Sequence, residues 1–165
     1  MDETGQAAPD ADAPGVEAAP PTSLVVGHDR SAGADTALQL ALQLASELRA
    51  PVVIIRAWSM VTAPRPANWA FGYVPSEDEL AEAVHDELVA DTRAHVARFP
   101  GVEVTYRASH RGPAPALIVA SHQARILVVG SRGLGGFSEL VLGSVSDQVV
   151  RYAACPVLVA RDPRR

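Results

Sequence analysis

The residues of this sequence best suited to chemistry are glycines that follow a short apolar run. The run ends at Gly130, Gly133 lies three residues further on, and Gly143 and Ser144 precede a segment with helical spacing. A strand, a glycine-rich loop and a helix start together expose backbone N–H groups that bind anions. The pattern therefore predicts a phosphate-binding loop.

Two common nucleotide-binding motifs are excluded by the residues present. A Walker loop needs a lysine before its Ser or Thr, and the chain contains no lysine. A dinucleotide-binding fold would carry G-x-G-x-x-G after its first strand, whereas Gly27, His28, Asp29 and Arg30 occupy that position here. The glycine spacing belongs to another kind of phosphate loop.

Composition favours one globular domain with an acidic extension. The chain has 165 residues, and 48% of them are hydrophobic, which is enough for one core. Residues 1–22 hold acidic residues but no arginine, so the formal charge of -5 belongs to this segment. We predict a disordered acidic tail over 1–22, a folded domain over 23–161 and a polar end over 162–165. Scattered arginines argue against a nucleic-acid partner.

Cysteine usage and hydropathy indicate the compartment. Cys155 is the only cysteine, so no internal disulfide can form, and we expect a small buried residue beside the last strand. No apolar run approaches the roughly 20 residues of a membrane span. The N-terminus also lacks the features of a signal peptide. We expect a cytoplasmic protein with no membrane partner.

Hydrophobic periodicity predicts alternating strands and helices. The predicted strands cover 23–27, 51–58, 102–106, 126–130 and 156–160, and the helices about 34–49, 77–99, 113–123 and 144–152. This order requires a parallel sheet with helices on both faces. We predict a single three-layer α/β/α, Rossmann-like domain whose five-stranded parallel sheet has the order 3-2-1-4-5. Ligands bind where such an order reverses, which brings Asp29 opposite Gly130.

The long segment between the second strand and the second helix contains Trp69, Phe71 and Tyr73. We expect these aromatic residues to pack on the core as a lid, with a functional loop as the alternative. Ser76 and Glu79 then predict a capping box at the start of the helix.

The proposed site residues also have simpler structural explanations. For the glycines the alternative is an ordinary flexible loop in which Ser144, with Asp147, caps the last helix. Asp29 or Ser31 can cap the first helix. Four histidines outside the first loop share no metal-ligand spacing, so no metal site is predicted.

The complete glycine spacing, after a Val-Val strand and before a helix, resembles the ATP-binding motif of the universal stress protein family. The resemblance extends to residues 24–29 and 155–159 and covers nearly all of 23–161. It indicates the ATP-binding branch of that family. It implies a stress-response regulator that binds ATP, with or without Mg²⁺, in the crevice between strands 1 and 4.

The resemblance also implies a role for each matching residue. Gly27, His28 and Asp29 would lie on the adenine and ribose side, and Ala57 would meet adenine through its backbone. The phosphates would be bound by Gly130, Arg132, Gly133, Gly143, Ser144, Val145 and Ser146.

The family resemblance further implies a homodimer paired through the last strand, residues 157–160. Three arginines depart from the family pattern. Arg30 and Arg111 stand where glycine is frequent, and Arg125 stands where an acidic residue is common.

Catalysis is predicted to be slow or absent. Hydrolysis of a phosphoanhydride needs a metal site and a group that orients water. Asp29 could hold Mg²⁺ and Glu139 could approach the phosphates, but no spacing requires either. Ser144 has no adjacent base, so no catalytic residue is assigned. The alternatives are an ATP-hydrolysing or adenylyl-transferring enzyme of the same fold group and a dimeric scaffold with an empty crevice.

Overall fold

Five apolar runs form the parallel sheet of the protein in the computed structural model, which describes residues 22–66, 69–134 and 142–161. The strands are β1 (Leu24–Gly27), β2 (Val52–Ala57), β3 (Val104–Ser109), β4 (Ile126–Gly130) and β5 (Val157–Ala160). Their order is β3-β2-β1-β4-β5, so the predicted order is confirmed. Val26 of β1 is paired with Ile54 of β2 on one side and with Val128 of β4 on the other.

Four helices cover the two faces of this sheet. They are α1 (Ala32–Leu48), α2 (Glu77–Val96), α3 (Pro113–Ser121) and α4 (Ser144–Tyr152). Successive strand residues point to opposite faces. Val26 accordingly packs in one cluster with Leu38 of α1 and Leu88 of α2. Val25 packs in a second cluster with Leu117 of α3 and Val149 of α4. The three-layer α/β/α architecture is confirmed.

The predicted element boundaries lie within two residues of the observed ones except in α2 and β3. The helix α2 ends at Val96 and not near Phe99. Pro100 disfavours a helical conformation for the residue before it, so the chain leaves the helix early. The strand β3 is shifted towards the C-terminus, because its pairing with β2 begins at Val104 and continues to Ser109.

The prediction of an aromatic lid packed on the core is wrong. Phe71 is fully exposed, and Trp69 and Tyr73 are about 40% exposed. The guanidinium of Arg65 lies 4.5 Å from the centre of the Trp69 ring. The buried aromatic residue of this region is Trp58, directly after β2, which packs against Leu80 and Val84 of α2.

Cys155 is only partly buried, contrary to the expected full burial, and it packs at the edge of the α3–α4 cluster. Partial burial raises the pKa of its thiol above the ordinary value.

None of the four helices has both the length and the apolarity that crossing a membrane requires, as far as the described residues extend. The acidic tail, except Thr22, and residues 162–165 lie outside the described residues, so those assignments stay predictions.

Candidate functional site

A cavity of about 230 Å³ lies where β1 and β4 end side by side, at the reversal of the strand order. All the site residues predicted from the sequence line this cavity. They are Gly27, His28, Asp29, Ala57, Gly130, Arg132, Gly133, Gly143, Ser144, Val145 and Ser146. The fold therefore brings together residues from β1, β2, β4 and α4 that are far apart in the sequence, from Gly27 to Ser146.

The sequence motifs did not indicate seven further residues that line the cavity, most of them apolar. The additional lining residues are Ser31, Ala34, Ile55, Pro113, Leu117, Val129 and Leu134. Val129 and Leu134 adjoin predicted residues, and Ile55 lies near the same strand end as Ala57. The start of α3, with Pro113 and Leu117, was the part that no motif indicated. Its signal was topological, because α3 begins at the edge of the sheet where β1 ends.

Two glycines of the motif are required by the packing of one loop on another. A Cβ on Gly130 would lie 2.6 Å from the carbonyl oxygen of Gly33 in the β1–α1 loop. A Cβ on Gly133 would collide with the carboxylate of Asp29. Gly143 differs, because the nearest atom to a Cβ there, the Cα of Arg132, would be at 3.5 Å, an ordinary contact. The glycine spacing thus has a structural cause at Gly130 and Gly133 that is absent at Gly143.

Asp29 joins the two loops that form the cavity. Its Oδ1 accepts a hydrogen bond from the backbone N–H of Ser31 at 3.0 Å, and its Oδ2 accepts one from Leu134 at 3.0 Å. The cap of α1 is the other candidate, Ser31, whose Oγ accepts from the N–H of Ala34 at 3.1 Å. Asp29 therefore stabilises the site without capping a helix.

The helix α4 begins at the cavity without a side-chain cap. Gly143 is the N-cap residue, and no side-chain hydrogen bond caps the helix. The predicted capping pattern of Ser144 with Asp147 is wrong, because Ser144 is already the first helical residue. The carboxylate of Asp147 instead pairs with Arg151 at 3.0 Å. The first backbone donors of α4, which an α-helix cannot bond internally, lie beside the cavity.

The hydroxyl of Ser146 does not donate to a ligand in this structure. Its Oγ donates a hydrogen bond to the carbonyl of Gly130 at 2.6 Å, and the residue is buried. The hydroxyl proton is thus used to connect α4 to the end of β4. The backbone N–H of Ser146 can still donate a hydrogen bond to a ligand.

His28 is held in one protonation state by Arg56. The guanidinium of Arg56 donates to the Nδ1 of His28 at 3.0 Å and to its carbonyl oxygen at 3.1 Å. An arginine can only donate, so the ring proton resides on Nε2, which lies 3.1 Å from the Oδ1 of Asp35. Burial lowers the pKa of His28, Arg56 lowers it further, and Asp35 opposes both. His28 is therefore a neutral donor near pH 7.

No sequence motif indicated the contact of Arg56 with His28. Arg56 lies in β2, is buried, and also donates to Asp91 of α2 at 2.8 Å. A single arginine in the apolar run of β2 was the available signal, since a buried charge requires a partner.

The charged groups that line the cavity are few. Among the described residues they are Asp29 and Arg132, and Asp29 is the only carboxylate. Within the described ranges no group of three potential metal ligands was found. A cation would therefore have to be shared between Asp29 and the ligand. Glu139 lies outside the described residues.

Comparison with known proteins gives a consistent family. The model of the universal stress protein family matches residues 22–161. A universal stress protein of Mycobacterium tuberculosis is 34% identical over 139 residues, which is 84% of this chain and 45% of that protein. One of Mycobacterium bovis is 36% identical over 149 residues, which is 88% of this chain and 45% of that protein. The chain thus spans less than half the length of these curated relatives.

Solved structures share the fold at low sequence identity. The universal stress protein UspA from Lactobacillus plantarum has a TM-score of 0.66 at 22% identity, covering 87% of this chain and 99% of that chain. A universal stress protein in complex with cAMP has a TM-score of 0.59 at 23% identity, covering 85% and 96%. One from Archaeoglobus fulgidus in complex with dAMP has a TM-score of 0.55 at 19% identity, covering 84% and 97%.

Proposed function

The chain belongs to the universal stress protein family, and from this premise we propose that it binds ATP between the ends of β1 and β4. In this proposal it acts in the cytoplasm as a nucleotide-dependent regulator of a stress response. The observation that carries the proposal is the uncapped start of α4 beside the glycine loop in a single cavity. Backbone donors at a helix start, together with the helix dipole, bind phosphate groups.

The ligand has one orientation that matches the lining. The adenine ring fits the apolar side formed by Ile55 and Leu117, beside Gly27, His28 and Ala57. The ribose lies next to Asp29, whose oxygens each retain a free lone pair for a hydroxyl.

The phosphates face the opposite side of the cavity. They receive backbone N–H groups from Ser144, Val145 and Ser146, and Arg132 contributes positive charge. Solved relatives carry cAMP and dAMP, and this supports an adenine nucleotide as the class of ligand.

The small number of carboxylates in the described lining of the cavity supports slow or absent hydrolysis. Asp29 is the single carboxylate among the described lining residues, and both its oxygens already accept backbone hydrogen bonds. Mg²⁺ would bind mainly through the phosphates with Asp29 nearby. We expect no sustained phosphate release from purified protein. A robust ATPase activity that Glu139→Ala abolishes would contradict this part.

The proposed homodimer uses the edge of the sheet. In the described structure β5 is the last strand beside β4, and Val157, Leu158 and Val159 are partly exposed. An unpaired apolar edge strand favours pairing with a second copy. Sedimentation equilibrium should give a dimer, and Val159→Arg should give a monomer. A monomer of the unmodified chain at micromolar concentration would refute the dimer and leave the nucleotide proposal intact.

Calorimetry with a series of ligands tests the binding proposal. ATP, ADP, AMP and adenosine share the base and ribose and differ only in phosphate. We expect the affinity to fall along this series, because each phosphate removed loses charge-assisted hydrogen bonds. Absence of heat with every nucleotide, or equal affinity for ATP and adenosine, would refute a phosphate-binding site at α4.

A further inference from the structure

A second cavity, of about 330 Å³, lies beyond the ends of β2 and β3. The β1–α1 loop, the β2–α2 connection, α2 and the β3–α3 connection form its walls. It shares Asp29, Ala57, Pro113 and Leu134 with the first cavity, so the two are neighbours separated by a common wall. The family resemblance assigns a role to none of its residues outside that common wall.

An aromatic side chain forms part of its lining. Trp58 is 5% exposed and stacks on His110, with ring centres 4.3 Å apart. Its Nε1 is buried and has no acceptor in the described part of the chain. A buried N–H without an acceptor costs roughly 1–3 kcal/mol. Protein atoms enclose this N–H, so Trp58 lines the cavity with its other atoms.

Three arginines line the same cavity, and they differ in how their charge is balanced. Arg30 is paired with Glu87 of α2 at 3.0 Å, and Arg56 with Asp91 at 2.8 Å. Arg111 forms no ion pair with any described residue. The remaining carboxylate of the lining, Asp29, accepts the backbone N–H groups of Ser31 and Leu134, so the guanidinium of Arg111 is left for an anion.

Arg30 is held in this wall against a conformational cost. Its φ is +71°, in the left-handed region. A residue with a Cβ pays about 1–2 kcal/mol there, whereas glycine does not. The chain nevertheless carries an arginine, whose side chain bridges to Glu87 across the wall.

We propose that this cavity is a second ligand site, for a small molecule that combines a flat apolar group with a carboxylate or a phosphate. Arg111 binds the anion. Trp58 and Val84 contact the apolar group. The proposal does not depend on nucleotide binding in the first cavity. Because Asp29 belongs to both walls, the two occupants would influence each other.

The indole N–H signals provide a direct measurement. The chain has two tryptophans, so nitrogen-edited NMR gives two such signals, and Trp69→Phe identifies the one from Trp58. Benzoate and phenyl phosphate serve as probes of the two anions, with benzamide as the uncharged analogue. We expect the Trp58 signal to shift with at least one anion and not with benzamide. No shift at millimolar probe, or the same shift with benzamide, would overturn the proposal.

Matched variants test the role of Arg111. Arg111→Gln should weaken binding of the preferred anion about tenfold, the loss of one charge-assisted hydrogen bond. Arg111→Lys should restore most of it. Arg125→Gln, the same change at an arginine that lines neither cavity, should have no effect. Equal affinities for all four proteins would refute an anion site at Arg111.

A further variant separates the two cavities. Gly143→Asp introduces a negative charge at the start of α4 and should leave binding of the benzoate or phenyl phosphate probe unchanged. Loss of probe binding in this variant would mean that the probes occupy the first cavity, which would overturn the proposal.

Discussion

The helices α2 and α4 differ in how they begin. The first backbone N–H groups of each helix have no partner within that helix, but only α2 has a side-chain cap. At α2, Ser76 accepts from the N–H of Glu79 at 3.2 Å, and the Glu79 carboxylate accepts from the N–H of Ser76 at 2.8 Å. At α4, Gly143 provides no side chain. The chain thus satisfies its donors internally where only stability is needed. It leaves them available where a cavity adjoins the helix.

The largest effect is expected from placing a charge at the start of α4. Asn and Asp both suit an N-cap position, and the Cβ fits at residue 143. Gly143→Asp should weaken ATP binding about 100-fold, because a carboxylate within about 5 Å of a phosphate costs near 3 kcal/mol. Calorimetry measures the change.

The isosteric variant Gly143→Asn is the control. It should bind ATP far more tightly than Gly143→Asp, and thermal melts should show that both variants fold. Equal weakening in the two variants would attribute the loss to steric blockage, and no weakening in either would mean that phosphate does not reach α4.

Next in size is a difference between two glycines of one motif. Gly130→Ala should lower the free energy of unfolding by about 2 kcal/mol, since the new methyl overlaps the backbone of Gly33. Gly143→Ala should cost well under that, because its Cβ has an ordinary contact. Urea unfolding of the two variants measures the difference. Equal stabilities would show that loop packing does not require Gly130.

A smaller effect is expected at the capped helix. Ser76→Ala removes the side-chain acceptor of α2 and should lower the free energy of unfolding by about 1 kcal/mol. ATP affinity should not change, because Ser76 does not line the first cavity. A change in affinity as large as that of Gly143→Asp would remove the distinction between the two helix starts.

The smallest expected effect concerns pH. The pKa of His28 is lowered by burial in the folded state, so the unfolded chain binds more protons in mild acid. Stability should therefore fall as the pH drops below about 6.5, by at most about 0.8 kcal/mol at pH 6 from this residue. His28→Gln should show a shallower dependence in melts between pH 7.5 and 5.5. An identical dependence would mean that His28 titrates normally.

Some features of the fold and the site could be predicted from the sequence, and others could not. The strands, the helices and the glycines at the end of β4 follow from local patterns, since apolar runs and glycines indicate local structure. The strand order is not contained in those patterns, and 3-2-1-4-5 was a hypothesis that the structure confirms. The N-cap of α4 was assigned incorrectly because Gly143 and Ser144 are both acceptable N-cap residues and only the backbone distinguishes them. The contact of Arg56 with His28 joins two strands, so no local pattern contains it. The exposed Phe71 shows that an aromatic side chain alone does not predict burial.

Amide chemical shifts at the start of α4 test the central claim most directly. On addition of ATP, the backbone N–H signals of Ser144, Val145 and Ser146 should move strongly downfield as they donate to phosphate oxygens. Adenosine should leave them nearly unchanged while still moving signals near Ala57. If ATP moves none of the three α4 amides, the uncapped helix start is not the phosphate site and the proposed binding mode is wrong.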